Sequence, residues 1–102
     1  MPSAPHLVDL EVANTLHRLV ASRRLEVGQA RAALADFLSM RLQRFPHTAL
    51  LERIWELRGS ITPYDAAYVA LAETLDCPLV TSDAKLARAG KVRCVVEVLR
   101  AG

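Results

Sequence analysis

Residues 61–89 read ITPYDAAYVALAETLDCPLVTSDAKLARA, and the order of signals inside that stretch decides the fold class. Thr62-Pro63-Tyr64-Asp65 is a helix start: a hydroxyl residue to cap it, a proline at the first helical position and an acid at the third. The Ala-rich run AAYVALAETL carries the helix on to about Leu75. Pro78-Leu79-Val80-Thr81 is short, apolar and β-branched at its end, with Ser82-Asp83 closing it, which predicts a strand buried on both faces. A brief helix over Ala84 to Arg88 then precedes Gly90. A second Val-rich run, Val92 to Val98, supplies another strand. Strands separated by a helical crossover pair in parallel, so the expected class is α/β.

Outward from that stretch the chain is mostly helical. Between Pro5 and about Ser22 the apolar residues Val8, Val12, Leu16, Leu19 and Val20 recur at helical spacing, with Ser3 as N-cap and Pro5 in the first turn. Glu26 to Ser39 repeats the pattern through Val27, Ala30, Leu34, Phe37 and Leu38. Met40 to Phe45 alternates polar and apolar residues ahead of Pro46, which suits a short strand or an extended connector. His47 to Arg58 groups Leu50, Leu51, Ile54 and Leu57 and stops before Gly59, a residue typical of helix ends. Four or five helices then accompany two convincing strands. Either Met40 to Phe45 joins the sheet or a strand is lacking.

Composition narrows the functional classes. The sequence has 102 residues, 52% of them hydrophobic and 24% charged, with four glycines and five prolines, so it reads as one globular domain rather than a disordered or repetitive chain. Thirteen basic residues against eleven acidic ones leave a charge of +2, too little to argue for nucleic acid by bulk electrostatics. Cys77 and Cys94 form no CxxC pair and read as reduced, partly buried hydrophobes. The opening MPSAPHLVDLE is no secretory signal, and no run of about 18 apolar residues occurs. A cytoplasmic protein without a membrane span is expected.

Three acids occupy positions where a site would form. Asp83 follows directly on the strand LVT, and in open α/β sheets ligands bind beyond the carboxyl ends of strands; Ser82 or Asp83 equally well caps the next helix. Asp65 fits a capping role with Thr62 and still sits well placed for a cation. Glu11 groups with Asn14 and Arg18 on the polar side of the first helix, at about 100° per residue, which taken alone makes it a solvated residue unless that side faces a water-filled cleft, while Asp9 falls inside the apolar arc. Converging carboxylates suit Mg²⁺ or Mn²⁺, and such an ion serves phosphodiester hydrolysis by activating water and neutralising phosphate charge. His6, His17 and His47 are scattered, no HExxH string occurs, and no GxGxxG, GxxxxGK[ST] or GxSxG is present.

The strings YDAAY and LVTSD, with the Val-rich last strand, resemble the C-terminal half of PIN-domain proteins of the VapC toxin type, and APHLVDLEVANTLHRLV resembles that family's acid-bearing E-V-A-N-x-L helix. The resemblance spans nearly the whole chain. It implies a PIN-like three-layer α/β sandwich with a parallel sheet, filling residues 1–102 as a single domain. It implies a Mg²⁺- or Mn²⁺-dependent endoribonuclease that cleaves RNA and is silenced by a VapB-type antitoxin. It assigns catalytic and metal-binding roles to Glu11, Asp65 and Asp83, choosing Glu11 over Asp9, with Thr81 or Ser82 as lesser participants. In the ribonuclease reading Arg18, Arg23, Arg24, Arg41 and Arg44 would guide the RNA, although they form no obvious stripe and each one alone reads more readily as an ordinary solvated charge.

Members of that family ordinarily begin with a hydrophobic strand ending in Asp, to which nothing in this sequence corresponds. The expected fold is therefore the C-terminal three quarters of the family's, N-terminally truncated and helix-rich. Weaker metal binding follows, since a ligand and its charge are gone. Unpaired strand edges would drive formation of a homodimer or pairing with an antitoxin segment. The alternative is a catalytically inactive relative that keeps the dimer and antitoxin surface; a third reading, a helical interaction protein, makes all three acids caps and surface charges.

Overall fold

The structure, a computed structural model, describes residues 1–99, and they fall into two compact units, Met1–Phe45 and the chain from Pro46 onward. The first unit comprises β1 (Ser3–Pro5), α1 (Leu7–Ala21), α2 (Val27–Ser39) and β2 (Gln43–Phe45). β1 and β2 pair in parallel, Ser3 opposite Gln43 and Pro5 opposite Phe45. The His6 N–H donates to the Phe45 carbonyl at 2.8 Å and the Gln43 N–H to the Pro2 carbonyl at 2.9 Å. Ser3 and Pro5 are thus strand residues rather than the cap and first turn of a helix, and His6 stands at the N-cap without a side-chain cap bond. Only the distant partner Gln43–Phe45 makes a strand of Ser-Ala-Pro, which has little strand propensity of its own. That partner bears out the strand reading of Met40 to Phe45 over a narrower range.

Within this unit α1 and α2 pack on each other, joined by a turn in which Arg23 takes a left-handed conformation, φ 59°. The Glu26 N–H donates to Gln29 Oε1 at 2.9 Å and so opens α2 with a reciprocal cap. The stripe Val8, Val12, Leu16, Leu19 and Val20 is half-buried, as its spacing requires. In α2 only Ala30 and Phe37 are covered to that degree. Val27 and Leu38 are 66% and 67% exposed. Asp9 enters the apolar arc because Arg44 meets it there: Arg44 Nε donates to Oδ1 at 2.8 Å and to Oδ2 at 3.0 Å. The same guanidinium lies over the Phe37 ring, 5.4 Å from its centroid.

The second unit holds the tightly packed core. A 3-10 turn at Thr48–Leu50 runs into α3 (Leu51–Glu56), followed by α4 (Pro63–Leu75), β3 (Leu79–Thr81), a 3-10 helix at Ala84–Arg88 and β4 (Val96–Val98). The helix expected over His47 to Arg58 is thus shorter and two-part. It ends ahead of Gly59, which does not adopt a left-handed conformation. α3 packs on α4, bringing Leu50, Ile54 and Leu57 into the core that Ala66, Ala67, Val69 and Ala70 also form. Alanines on that face of α4 let helix backbones approach closely, and each fully buried Leu or Val contributes about 1.5–3 kcal/mol by leaving water.

β3 and β4 pair in parallel, Leu79 opposite Val96 and Thr81 opposite Val98. Leu79 is buried, but Val80 is 53% exposed, so the expectation of a strand covered on both faces fails. Period-two alternation sends Val80 to the opposite side from Leu79, and among the described residues that side is left largely open at Val80. The last strand is likewise narrower than Val92 to Val98. No helix among the described residues is long and apolar enough to cross a membrane.

Candidate functional site

Asp65 stands at the third position of α4, where local chemistry fixes its backbone. Thr62 is the N-cap in an extended conformation, Pro63 supplies a preset φ at the next position, and the Asp65 N–H donates to Thr62 Oγ1 at 3.2 Å. The carboxylate, half-buried, lies in the first turn, where the helix dipole favours negative charge. The capping motif read in the sequence is present, and its hydroxyl engages the backbone of Asp65, leaving the Asp65 side chain outside that bond.

Asp83 lies two residues past the carboxyl end of β3. Its N–H donates to Thr81 Oγ1 at 3.1 Å, and its Oδ1 accepts the Lys85 N–H at 2.9 Å, so it caps the 3-10 helix. Capping and ligation are compatible here, because the cap uses one oxygen of an exposed carboxylate that has two. Of Thr81 and Ser82, it is Thr81 whose hydroxyl shapes the backbone at Asp83. Glu11 is half-buried on α1 and belongs to the first unit, whereas Asp65 and Asp83 belong to the second.

These donors are hard carboxylate oxygens, the chemistry a small divalent cation selects over the scattered histidines and cysteines. Among the described residues no three His, Cys, Asp or Glu side chains gather as an ion site. Taken one by one, Asp65 and Asp83 offer oxygens whose chemistry suits such an ion. Of the arginines read as RNA guides, Arg18, Arg23, Arg24 and Arg41 are exposed, while Arg44 is committed to Asp9.

The best-formed electrostatic cluster was not read from the sequence. Arg53 Nε donates to Glu73 Oε1 at 2.7 Å and Arg53 Nη2 to Glu73 Oε2 at 3.1 Å; the Arg93 N–H adds a third bond to Oε2 at 2.7 Å. Both side chains are largely covered, 15% and 12% exposed. Burial works against the Glu73 charge, yet the Arg53 and Arg93 hydrogen bonds and charges outweigh it and hold the carboxyl below the usual range. A lone acid near the end of an otherwise apolar helix is the signal that could have found this pair, since such a charge needs a partner. Its contacts join α3, α4 and the approach to β4, which marks it as structural.

Comparison with known proteins points to one family. A PIN-domain profile matches residues 3–92. The chain is 45% identical over 95 residues to a VapC ribonuclease of Mycobacterium bovis, covering 93% of this chain and 75% of that protein. Ribonuclease VapC9 of Mycobacterium tuberculosis is similar to the same extent. Ribonuclease VapC1 of the same organism is 46% identical over 99 residues, 96% of this chain and 74% of its own length. A profile match over most of the sequence, and relatives aligned nearly end to end with this chain, place it in the PIN-domain family.

Proposed function

We propose that this chain is a divalent-metal-dependent endoribonuclease, the toxin of a VapBC-type pair, with RNA as its substrate and a VapB-type antitoxin as its partner. The observation that carries this reading is the 45% identity over 93% of the chain to proteins named VapC ribonucleases. Residues 1–102 act as a single PIN-like domain in this reading, in the cytoplasm. Glu11, Asp65 and Asp83 are its metal ligands and catalytic acids, and Mg²⁺ or Mn²⁺ is the ion. When bound, the ion supplies charge neutralisation at the phosphate and a more acidic attacking water. The protein's own part is positional. Thr62 and Thr81 hold the backbone under Asp65 and Asp83, and exposed Arg18, Arg23, Arg24 and Arg41 offer phosphate contacts that orient the strand without reading its sequence.

Support for the antitoxin, and for a homodimer, comes from uncovered apolar surface. In the first unit a groove of about 380 Å³ between α1 and α2 is lined by Leu16, Val20, Val27 and Leu34, and Leu10 nearby on α1 is 76% exposed. Contiguous apolar surface of this kind marks a protein partner. The test is incubation of a mixed, structured RNA with the chain plus Mn²⁺ or plus EDTA. Cleavage with the metal and none with the chelator is expected; cleavage that persists in EDTA contradicts the reading.

A second reading rests on that exposed apolar surface alone. In it the chain is a catalytically inactive relative that keeps the dimer and antitoxin surface. Antitoxin binding without metal-dependent cleavage distinguishes it.

A further inference from the structure

The two cysteines, unremarkable in the sequence, each stand two residues ahead of a strand of the second sheet. Each register pair of β3 and β4 links residues seventeen positions apart, Leu79 with Val96, Val80 with Glu97 and Thr81 with Val98. Cys77 and Cys94 are also seventeen apart, each two residues ahead of the first pair. The pairing reaches toward them, because the Leu79 N–H donates to the Val95 carbonyl at 2.8 Å. Adjacent strands run about 4.8 Å apart, inside the Cα separation of about 4.4–6.8 Å that a disulfide spans. Carried two residues further, the same register would pair Cys77 with Cys94.

Two further observations bear on the pair. Cys77 and Cys94 line one cavity of about 410 Å³, with Glu73, Asp76, Pro78 and Arg93. The Cys94 thiol is pushed up first by burial, then by the charge of Glu73, and Cys77 is among the groups that act on it. Both cysteines are free. Cys77 is exposed, in the turn that follows α4 and the left-handed Asp76, whereas Cys94 is half-buried. The expectation of two partly buried hydrophobes therefore holds for Cys94 only. One thiol is open to a reagent in solution, and the other is shielded but adjacent.

We propose that Cys77 and Cys94 form a reversible disulfide-forming pair, a modification site that takes its oxidising equivalents from a low-molecular-weight disulfide such as oxidised glutathione. In the first step the Cys77 thiolate attacks one sulfur of that reagent, forming a mixed disulfide and releasing one small thiolate. In the second, Cys94 loses its proton to solvent and its thiolate attacks Cys77 Sγ, releasing the second small thiolate. The two protein thiols are oxidised, the reagent is reduced to two thiols, and no other co-reactant is required. The bond ties the turn after α4 to the approach to β4. It closes the loop between them, which restricts the unfolded chain and raises thermal stability by several degrees. This inference rests on the sheet register and the shared cavity and is independent of the ribonuclease reading.

The test uses the full 102-residue chain, incubated with oxidised glutathione and followed by intact mass, thiol labelling and melting temperature. The expected product is a monomer lighter than the reduced chain by two hydrogens, with no labelled thiol and a higher melting point, all reversed by dithiothreitol. Cys94→Ser is expected to stop at one glutathione adduct on Cys77. Three results overturn the proposal: wild-type chains carrying separate adducts on both cysteines, chains joined to one another through disulfides, or thiols that stay unreacted while the unfolded chain reacts.

Discussion

Asp83 combines a structural task with a proposed chemical one. Its Oδ1 caps the 3-10 helix through the Lys85 amide, and asparagine caps about as well as aspartate. Asp83→Asn should therefore leave the melting temperature within about 2 °C of wild type, by thermal denaturation, while removing the charge an ion needs. Glu73 gives the opposite case, a charge whose task is cohesion. Breaking a largely buried, bidentate pair strands the partner, so Glu73→Gln should destabilise the chain by about 2–3 kcal/mol in urea unfolding. The pH dependence has a definite sign. A carboxyl held below its ordinary value of about 4.3 contributes stability that is present above that value and lost as pH falls through the lowered one. Wild type should lose stability on acidification below about pH 4, and Glu73→Gln should lose less of it over the same range.

At the scale of elements, α4 shows how far local signals reach. Thr62, Pro63 and Asp65 state its start in the sequence, and the helix runs Pro63–Leu75 as they imply. Thr62→Ala should cost about 1 kcal/mol by removing the acceptor for the Asp65 N–H, measurable by chemical denaturation. The strand LVT and its closing acid were equally legible, because apolar run and cap are both local. β1 was not. Ser-Ala-Pro has no strand signature, and its partner Gln43–Phe45 lies beyond two helices, so the pairing exists only in three dimensions. The Arg53–Glu73 and Asp9–Arg44 pairs stayed hidden for the same reason, being contacts between elements far apart in sequence. The exposure of Val80 contradicted a sequence rule rather than escaping it. Parallel strands are ordinarily covered on both faces, and here one face of β3 stays open.

For the molecule as a whole, the open apolar surfaces bear on its partners. Leu10, Val27 and Leu38 on the first unit and Val80 and Val95 on the second are each more than half exposed, and apolar surface marks a protein partner where it is contiguous. Self-association at micromolar concentration should appear in light scattering, and Leu38→Lys should weaken it without unfolding a side chain that is already 67% exposed. A wild-type chain that stays monomeric there would contradict the proposed dimer. The central claim is that the strand-end acid serves RNA hydrolysis. Its most direct test compares Mn²⁺-dependent cleavage by wild type and by Asp83→Asn, with both shown to be folded. A drop on the order of 100-fold or more is predicted, at least as large as losses at residues that merely support metal ligands. An Asp83→Asn chain that cleaves RNA as fast as wild type would contradict the assignment.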